Sequence, residues 1–148
     1  MKNLKPAHGI LVLLLGVFFS SCSTSPQPIN YGNDACHYCQ MTIVDQIYGA
    51  EVISDKGKIF KFDAAECLIR HKNTLENTEG YQFLTNYFEA PGEFIKLSEA
   101  KFLISENLPS PMGAFLTAFK TDEAVQKLKE EKGGDIFNLT EVEKTLLN

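Results

Sequence analysis

The first clear pattern of apolar and polar positions lies between residues 46 and 62 and predicts two short β-strands. Two runs, 46–54 and 58–62, are rich in β-branched and aromatic residues. The polar sequence Asp55-Lys56-Gly57 separates them and is typical of a tight turn. These residues therefore predict a β-hairpin.

A helix is predicted directly after this hairpin. Asp63 is followed three positions later by Glu66, a capping-box pattern in which Asp63 would be the N-cap. The helix is expected to continue to about His71 and to bury its apolar side. A third strand is expected within residues 81–88.

The same order recurs in the second half of the chain. Residues 100–104 and 113–119 predict strands, and Thr121 is a suitable N-cap for a helix with apolar positions at helical spacing. Gly133-Gly134 would end that helix, and residues 136–139 predict a short closing strand. We therefore expect an α+β fold of two strand–strand–helix–strand halves, at about residues 34–92 and 93–148.

The N-terminal segment has the pattern of an export signal. Lys2 and Lys5 precede an apolar run over residues 10–19, which is too short to span a bilayer as a helix. Small residues then lead to Cys22, an arrangement that resembles the lipobox of bacterial lipoproteins, with Phe19 where leucine is commoner.

The organisation that follows has three parts. We expect a lipoprotein signal peptide at 1–21, a polar and proline-rich tether at 22–33 with lipidated Cys22 at its start, and a globular region at 34–148. Ser23 after the lipidated cysteine favours the outer membrane, with the protein on its periplasmic side.

The charge balance excludes one class of partner. The chain has 19 acidic and 14 basic residues, a formal net charge of −5, and it becomes more acidic when the signal peptide is removed. An acidic surface is unsuited to nucleic acid or to a basic membrane-binding face. The lipid on Cys22 is therefore the expected membrane attachment.

The remaining cysteines give the first indication of a metal. Cys36, Cys39 and Cys67 are left when Cys22 is lipidated, and an odd number cannot form a complete set of disulfides within one chain. Exported compartments oxidise thiols, so an unpaired cysteine there needs burial, a metal or a partner.

The pair Cys39 and Met41 indicates which metal. In an extended segment their side chains would point to the same face, with Cα atoms about 6.6 Å apart. Thiolate and thioether sulfurs are soft donors that select copper(I), whereas zinc and harder ions rarely take thioether sulfur. The pair therefore predicts a copper(I) site.

Met112 is a further candidate ligand. It lies in Ser110-Pro111-Met112-Gly113, a corner bounded by proline and glycine, and a core methionine more often lies in a periodic apolar run. Either Met41 or Met112 taken alone would more often be a packing residue, and the combination with Cys39 favours ligation.

Several short motifs are spread through the globular region, from Asp34 to about Val142. They are Cys36-His-Tyr-Cys39-Gln-Met41, then Phe60-x-Phe62-Asp63 with Cys67, then Pro111-Met112-Gly113-x-Phe115 with Ala118-Phe119, Ala124 and Gly133-Gly134. Their combination and order resemble the NosL family, lipoprotein accessory factors of nitrous oxide reductase.

This resemblance implies a copper(I) chaperone that supplies the copper–sulfur centre of nitrous oxide reductase and works with a periplasmic protein and ABC-transporter assembly complex. It implies a fold of two small ββαβ units, similar to a domain of organomercurial lyase. It also implies copper ligation by Cys39, Met41 and Met112. Cys36 is an additional candidate that the family motif does not require, and Gln40 stands where the family usually has glycine.

A structural zinc site is the main alternative. Cys36 and Cys39 form one possible ligand pair, and Cys67 and His71 lie four positions apart on one face of the predicted helix. The four could build a Cys₃His tetrahedron. The two pairs are farther apart in sequence than in common zinc modules, and Met41 would have no role.

A thiol–disulfide carrier is the second alternative. The Cys-x-x-Cys spacing suits it, but such motifs begin a helix, whereas Thr42-Ile43-Val44 predicts a strand. A Cys36–Cys39 disulfide in the metal-free protein stays open, and it would block copper binding until reduced.

The other polar residues have simpler interpretations. Cys67 is interpreted as a core residue on an apolar helix face. His37 is expected to be exposed, and His71 to lie at a helix C-terminus where the dipole favours it. No nucleophile–base pair, phosphate loop or nucleotide site is recognisable, so the sequence indicates a binding protein and not an enzyme.

Overall fold

A computed structural model describes residues 25–147 of the chain. The predicted signal peptide, the lipidation site Cys22 and the tether as far as Thr24 lie outside the described residues, as does Asn148. Within residues 25–147 no helix is both long and apolar enough to cross a bilayer.

The first half contains a four-stranded antiparallel sheet. Its strands are β1 (Ala50–Ile53), β2 (Ile59–Phe62), β3 (Gln82–Tyr87) and β4 (Ala90–Lys96), in the spatial order β2-β1-β3-β4. Helix α1 (Ala65–Lys72) connects β2 to β3. The predicted hairpin is confirmed, because β1 pairs antiparallel with β2 across the turn at 55–57.

The second half contains a three-stranded sheet. After a 3₁₀ turn at Leu97–Glu99 come β5 (Lys101–Ile104), β6 (Leu116–Phe119), helix α2 (Asp122–Lys132) and β7 (Asp135–Phe137). The spatial order is β6-β5-β7, and helix α3 (Leu139–Leu147) ends the chain. In both sheets the first strand lies between the second and the third, and the predicted mixed α and β composition is confirmed.

The start of α1 differs from the predicted capping box. The N-cap position is Ala64, and no side chain caps the helix. Asp63 is instead buried, and its Oδ1 has no hydrogen-bond partner among the described residues. Glu66 points into the protein at 1% exposure, so neither acid was free to cap the first turn, and that prediction was wrong.

The second helix begins and ends as expected. The Thr121 hydroxyl accepts a hydrogen bond from the amide of Ala124, 3.2 Å away, and Gly133 follows the last residue of α2. The closing strand is shorter than predicted, because Asn138 and Glu141 form a reciprocal capping box that starts α3. Helix α3 and strand β4 were not predicted.

The end of the predicted tether packs on the globule. Ile29 is buried in the main core, and the amide of Gln27 donates to the carboxylate of Glu51 over 3.0 Å. A Cβ atom at Gly49 would lie 2.7 Å from the terminal Cδ1 methyl of Ile29, so the Ile29 side chain packs directly over this glycine. Ordered contacts therefore begin before residue 34.

The two halves share one core. Phe62 and Leu68 from the first half pack in the same cluster as Phe102 and Leu116 from the second. A smaller cluster lies under α2 and contains Leu103, Phe119, Val125 and Leu128. The halves are thus held together by continuous apolar packing.

Two hydrogen bonds join the corner at residues 109–113 to the first half. The Ser110 hydroxyl donates to the buried carboxylate of Glu66 on α1. The Tyr48 hydroxyl donates to the carbonyl of Pro109 over 3.2 Å. Together these bonds fix the corner that carries Met112 against helix α1.

The buried carboxyl of Glu66 predicts a pH dependence of stability. Burial raises the pKa of Glu66 above its ordinary value of 4.5, so the folded chain keeps a proton that the unfolded chain has lost. The contribution of Glu66 to the free energy of unfolding is therefore complete below pH 4.5 and is lost as the pH rises through the folded-state pKa.

Glu66→Gln should remove this loss, because glutamine stays neutral and keeps an oxygen acceptor for Ser110. Urea unfolding at pH 5 and pH 8 should show a smaller decrease in the free energy of unfolding with rising pH than in the parent. Glu76→Gln, at an exposed position, is the matched control. An unchanged pH profile for Glu66→Gln would contradict the assignment.

Candidate metal centre

The segment from Cys36 to Met41 is a closed turn. The amide of Cys36 donates to the carbonyl of Met41 over 2.8 Å, and the amide of Gln40 donates to the carbonyl of Cys36 over 3.0 Å. Gln40 has a φ of 65°, in the left-handed region. The extended geometry expected for Cys39 and Met41 was therefore wrong, because Gln40 between them is left-handed.

This turn is fixed to the edge of the first sheet. The amide of His37 donates to the carbonyl of Lys61 on β2 over 2.8 Å. An ion pair of 2.6 Å joins Lys61 to Asp34, and an antiparallel bridge joins Ala35 to Thr42. The residues after Cys39 thus form an isolated bridge and no helix, unlike the helix start that a thiol–disulfide carrier uses.

Three cysteine sulfurs meet under this turn. Cys36 and Cys39 come from the turn and Cys67 from the buried side of α1, and their Sγ atoms all lie within 4.8 Å of one another. Cys36 and Cys67 are fully buried and Cys39 is half-buried. The core position predicted for Cys67 is confirmed, but its place beside two other thiols was missed.

Hydrogen bonds stabilise a thiolate at Cys36. The Cys67 thiol donates to its sulfur, as do the backbone amides of Tyr38, Cys39 and Asp63, and together they lower the pKa of Cys36 to about 4. The same contact with Cys36 is the main cause that raises the pKa of Cys67. Hydrogen bonding between the thiols therefore lowers the pKa of Cys36 and raises that of Cys67.

Cys39 is less favourably placed for ionisation. Burial is the main cause that raises its pKa, although the amide of Met41 donates to its sulfur. The backbone amide of Asp63 donates to the sulfur of Cys36. The side-chain carboxyl of Asp63 is buried, and burial raises its pKa to about 6. The centre therefore combines a thiol whose pKa is lowered with a thiol and a carboxyl whose pKa values are raised by burial.

The two candidate methionines differ in exposure. Met41 is 44% exposed at the end of the turn. Met112 is half-buried against the shared core, in a turn closed by the bond from the Gly113 amide to the Ser110 carbonyl, 3.0 Å. The Ser110–Glu66 bond brings this turn next to α1, one residue before Cys67.

Two histidines lie beside the thiols. The rings of His37 and His71 are 5.1 Å apart between centroids and nearly perpendicular, and Phe60 contacts both. His37 is exposed and His71 lies in the last turn of α1, as predicted. Burial lowers the pKa of His71. In residues 25–147, the group of ligand atoms within 4.8 Å includes no histidine, so a complete Cys₃His site is not assembled.

Convergent sulfur atoms beneath a surface turn define a protein that could bind a soft metal ion. The sequence matches the NosL family over residues 28–147, and the chain belongs to that family.

A solved structure has the same fold. The crystal structure of the copper chaperone NosL from Shewanella denitrificans superimposes with a TM-score of 0.68 at 19% sequence identity, and the match covers 80% of this chain and 95% of that one. A search of curated proteins finds no match. The resemblance inferred from the motifs is therefore confirmed, and the family is represented by a chaperone and not by an enzyme.

The left-handed turn predicts a preference for glycine at position 40. A residue with a Cβ atom in the left-handed backbone region costs about 1–2 kcal/mol of conformational free energy, and glycine avoids that cost. Gln40→Gly should therefore be more stable than Gln40→Ala by about 1 kcal/mol in urea unfolding. Both variants lose the hydrogen bond from the Gln40 side-chain Nε2 to the His37 carbonyl, so the difference between them reports the backbone conformation. Equal stability would mean that residue 40 is not left-handed in solution.

Proposed function

We propose that the chain is a lipid-anchored copper(I) chaperone on the periplasmic side of a bacterial membrane, which delivers copper for the copper–sulfur centre of nitrous oxide reductase. The observation that carries the proposal is the match to the NosL family over residues 28–147. The sulfur-rich turn supports it, because soft donors suit copper(I).

The proposed ligands of the transferred ion are Cys39, Met41 and Met112, with Cys36 as an additional candidate. The exposure of Met41 supports this set, because an ion can pass to another protein only if that protein can reach it. A neutral thioether is also a weaker donor than a thiolate, so an incoming sulfur ligand could replace it.

The proposed anchor is the lipid on Cys22. The amide of Gln27 donates to the carboxylate of Glu51 on the globule, and the five residues from Cys22 to Gln27 reach at most about 18 Å. Such a short tether would keep the globule near the membrane that holds the lipid. Ser23 favours the outer membrane, so the processed chain would deliver copper on its periplasmic side.

The anchor is tested by Cys22→Ala. This variant should leave the membrane fraction, because the lipid is the proposed attachment, whereas Ser23→Ala should stay there. Mass spectrometry of the processed N-terminus should find an acylated Cys22 in the parent. An unmodified N-terminus at another residue would exclude the lipoprotein.

The ligand set is tested by copper(I) titration of the reduced protein against a chromogenic chelator. Cys39→Ser should nearly abolish binding at this site, because it removes the anionic donor. Met41→Leu or Met112→Leu should weaken it by about 10–100-fold, with less than about 1.5 kcal/mol lost in folding stability.

Selenomethionine labelling gives a direct measurement. Met41 and Met112 are the methionines after position 1, so X-ray absorption at the selenium edge should detect a copper neighbour. If no copper lies near selenium, and zinc competes effectively, the zinc alternative is correct.

A further inference from the structure

The Cys39–Met41–Met112 set leaves two sulfurs of the centre unused. Cys36 and Cys67 are both fully buried, and each lies within 4.8 Å of the other and of Cys39. They come from a surface turn and from helix α1, so their meeting depends on the tertiary fold and not on local sequence. A purely apolar packing role would not require three thiols to hydrogen-bond one another.

We propose that Cys36, Cys39 and Cys67 form a second, inner copper(I) site, which shares Cys39 with the exposed site. For the identity of the ion this inference rests on the proposed copper function. The inner ion is bound by cysteine alone, and Cys39 bridges the two ions as a thiolate.

The spacing of the sulfurs fits such a site. With metal–sulfur bonds of about 2.3 Å, three sulfurs around a trigonal ion are about 4.0 Å apart. The Sγ atoms are within 4.8 Å of one another. Side-chain rotations that move each sulfur by less than about 1 Å would therefore bring the three sulfurs to the trigonal spacing. The backbone of the turn and of α1 need not move.

The surroundings supply hydrogen bonds that thiolate ligands need. Backbone amides of Tyr38, Cys39 and Asp63 donate to the Cys36 sulfur, and the amide of Met41 donates to Cys39. Amides aimed at a ligating sulfur hold its orientation and disperse its negative charge. These donors belong to the closed turn and to the β2–α1 connection, which are both fixed by packing.

The number of donors selects the ion. Copper(I) is stable with three sulfur ligands, whereas zinc in structural sites takes four. Among residues 25–147 no further cysteine, histidine or carboxylate joins the three sulfurs within 4.8 Å. Binding involves no redox step, because copper enters and stays as copper(I), and each cysteine that is still protonated releases one proton to solvent when it binds as a thiolate.

The experiment uses the processed chain, purified from membranes in detergent, reduced and labelled with selenomethionine. Copper(I) is added under anaerobic conditions in competition with a chelator. The parent should hold two copper ions, one with selenium neighbours and one with sulfur alone. Met41→Leu/Met112→Leu should keep one ion in an all-sulfur shell, and Cys67→Ser should keep one ion that retains its selenium neighbours.

Four outcomes decide the proposal. It is overturned if Cys67→Ser binds as much copper as the parent, or if the double methionine variant binds none. It is supported if the double variant keeps one ion that Cys67→Ser then removes. If selenium never neighbours copper but Cys67→Ser still loses an ion, the inner site exists and the proposed methionine ligands are wrong.

Folding is controlled separately. Serine is close to cysteine in size, and the metal-free variants should unfold within a few degrees of the parent. Cys36→Ser repeats the test from the turn instead of the core helix. Loss of one ion in both variants, with folding retained, supports the site, whereas loss in Cys67→Ser alone overturns the assignment of Cys36.

Discussion

The hydrogen bond from the His37 amide to the Lys61 carbonyl fixes the sulfur-bearing turn to strand β2, and the rest of the centre depends on this contact. Strand β2 runs through Asp63 and Ala64 directly into α1, which carries Cys67. The turn and the helix are therefore held by one short, rigid segment. A shift of one residue at this edge would move Cys36 and Cys39 away from Cys67, because neighbouring strand residues face opposite sides.

The second half of the chain is joined to helix α1 by a buried polar contact. Glu66 is almost completely buried and is hydrogen-bonded to Ser110, while its Oε2 has no partner among the described residues. Burying a carboxyl costs free energy that an apolar residue at the same place would not cost. The benefit that matches this cost is a fixed position for the corner of Met112, which apolar packing would leave free to slide along α1.

Local chemistry was the part of the fold that could be predicted from the sequence. Thr121 and Gly133 delimit α2 by bonds within a few residues, and the hairpin turn at 55–57 is equally local. Asp63 and Glu66 carried an equally clear local signal and were misinterpreted, because both carboxyls are buried by tertiary packing and do not cap the helix. Cys67 was predicted only in part. Its burial followed from the helix periodicity, but its proximity to Cys36 depends on sheet pairing that cannot be read from the sequence. Strand β4 contains Pro91 and Gly92, which hide its strand character.

Exposure increases in steps across the sulfur atoms. Cys36 and Cys67 are inaccessible, Cys39 is half-buried and Met41 is open to solvent. Ligand exchange on copper(I) requires an incoming donor to approach the ion, so in the proposed exposed site the thioether of Met41 would determine how fast an ion can leave. In the proposed inner site the buried cysteines would determine how tightly an ion is held, because as ligands they would be anionic and shielded from competing water. A carrier has to combine strong retention with rapid release to one partner, and in the proposed arrangement the two properties belong to different side chains that meet at Cys39.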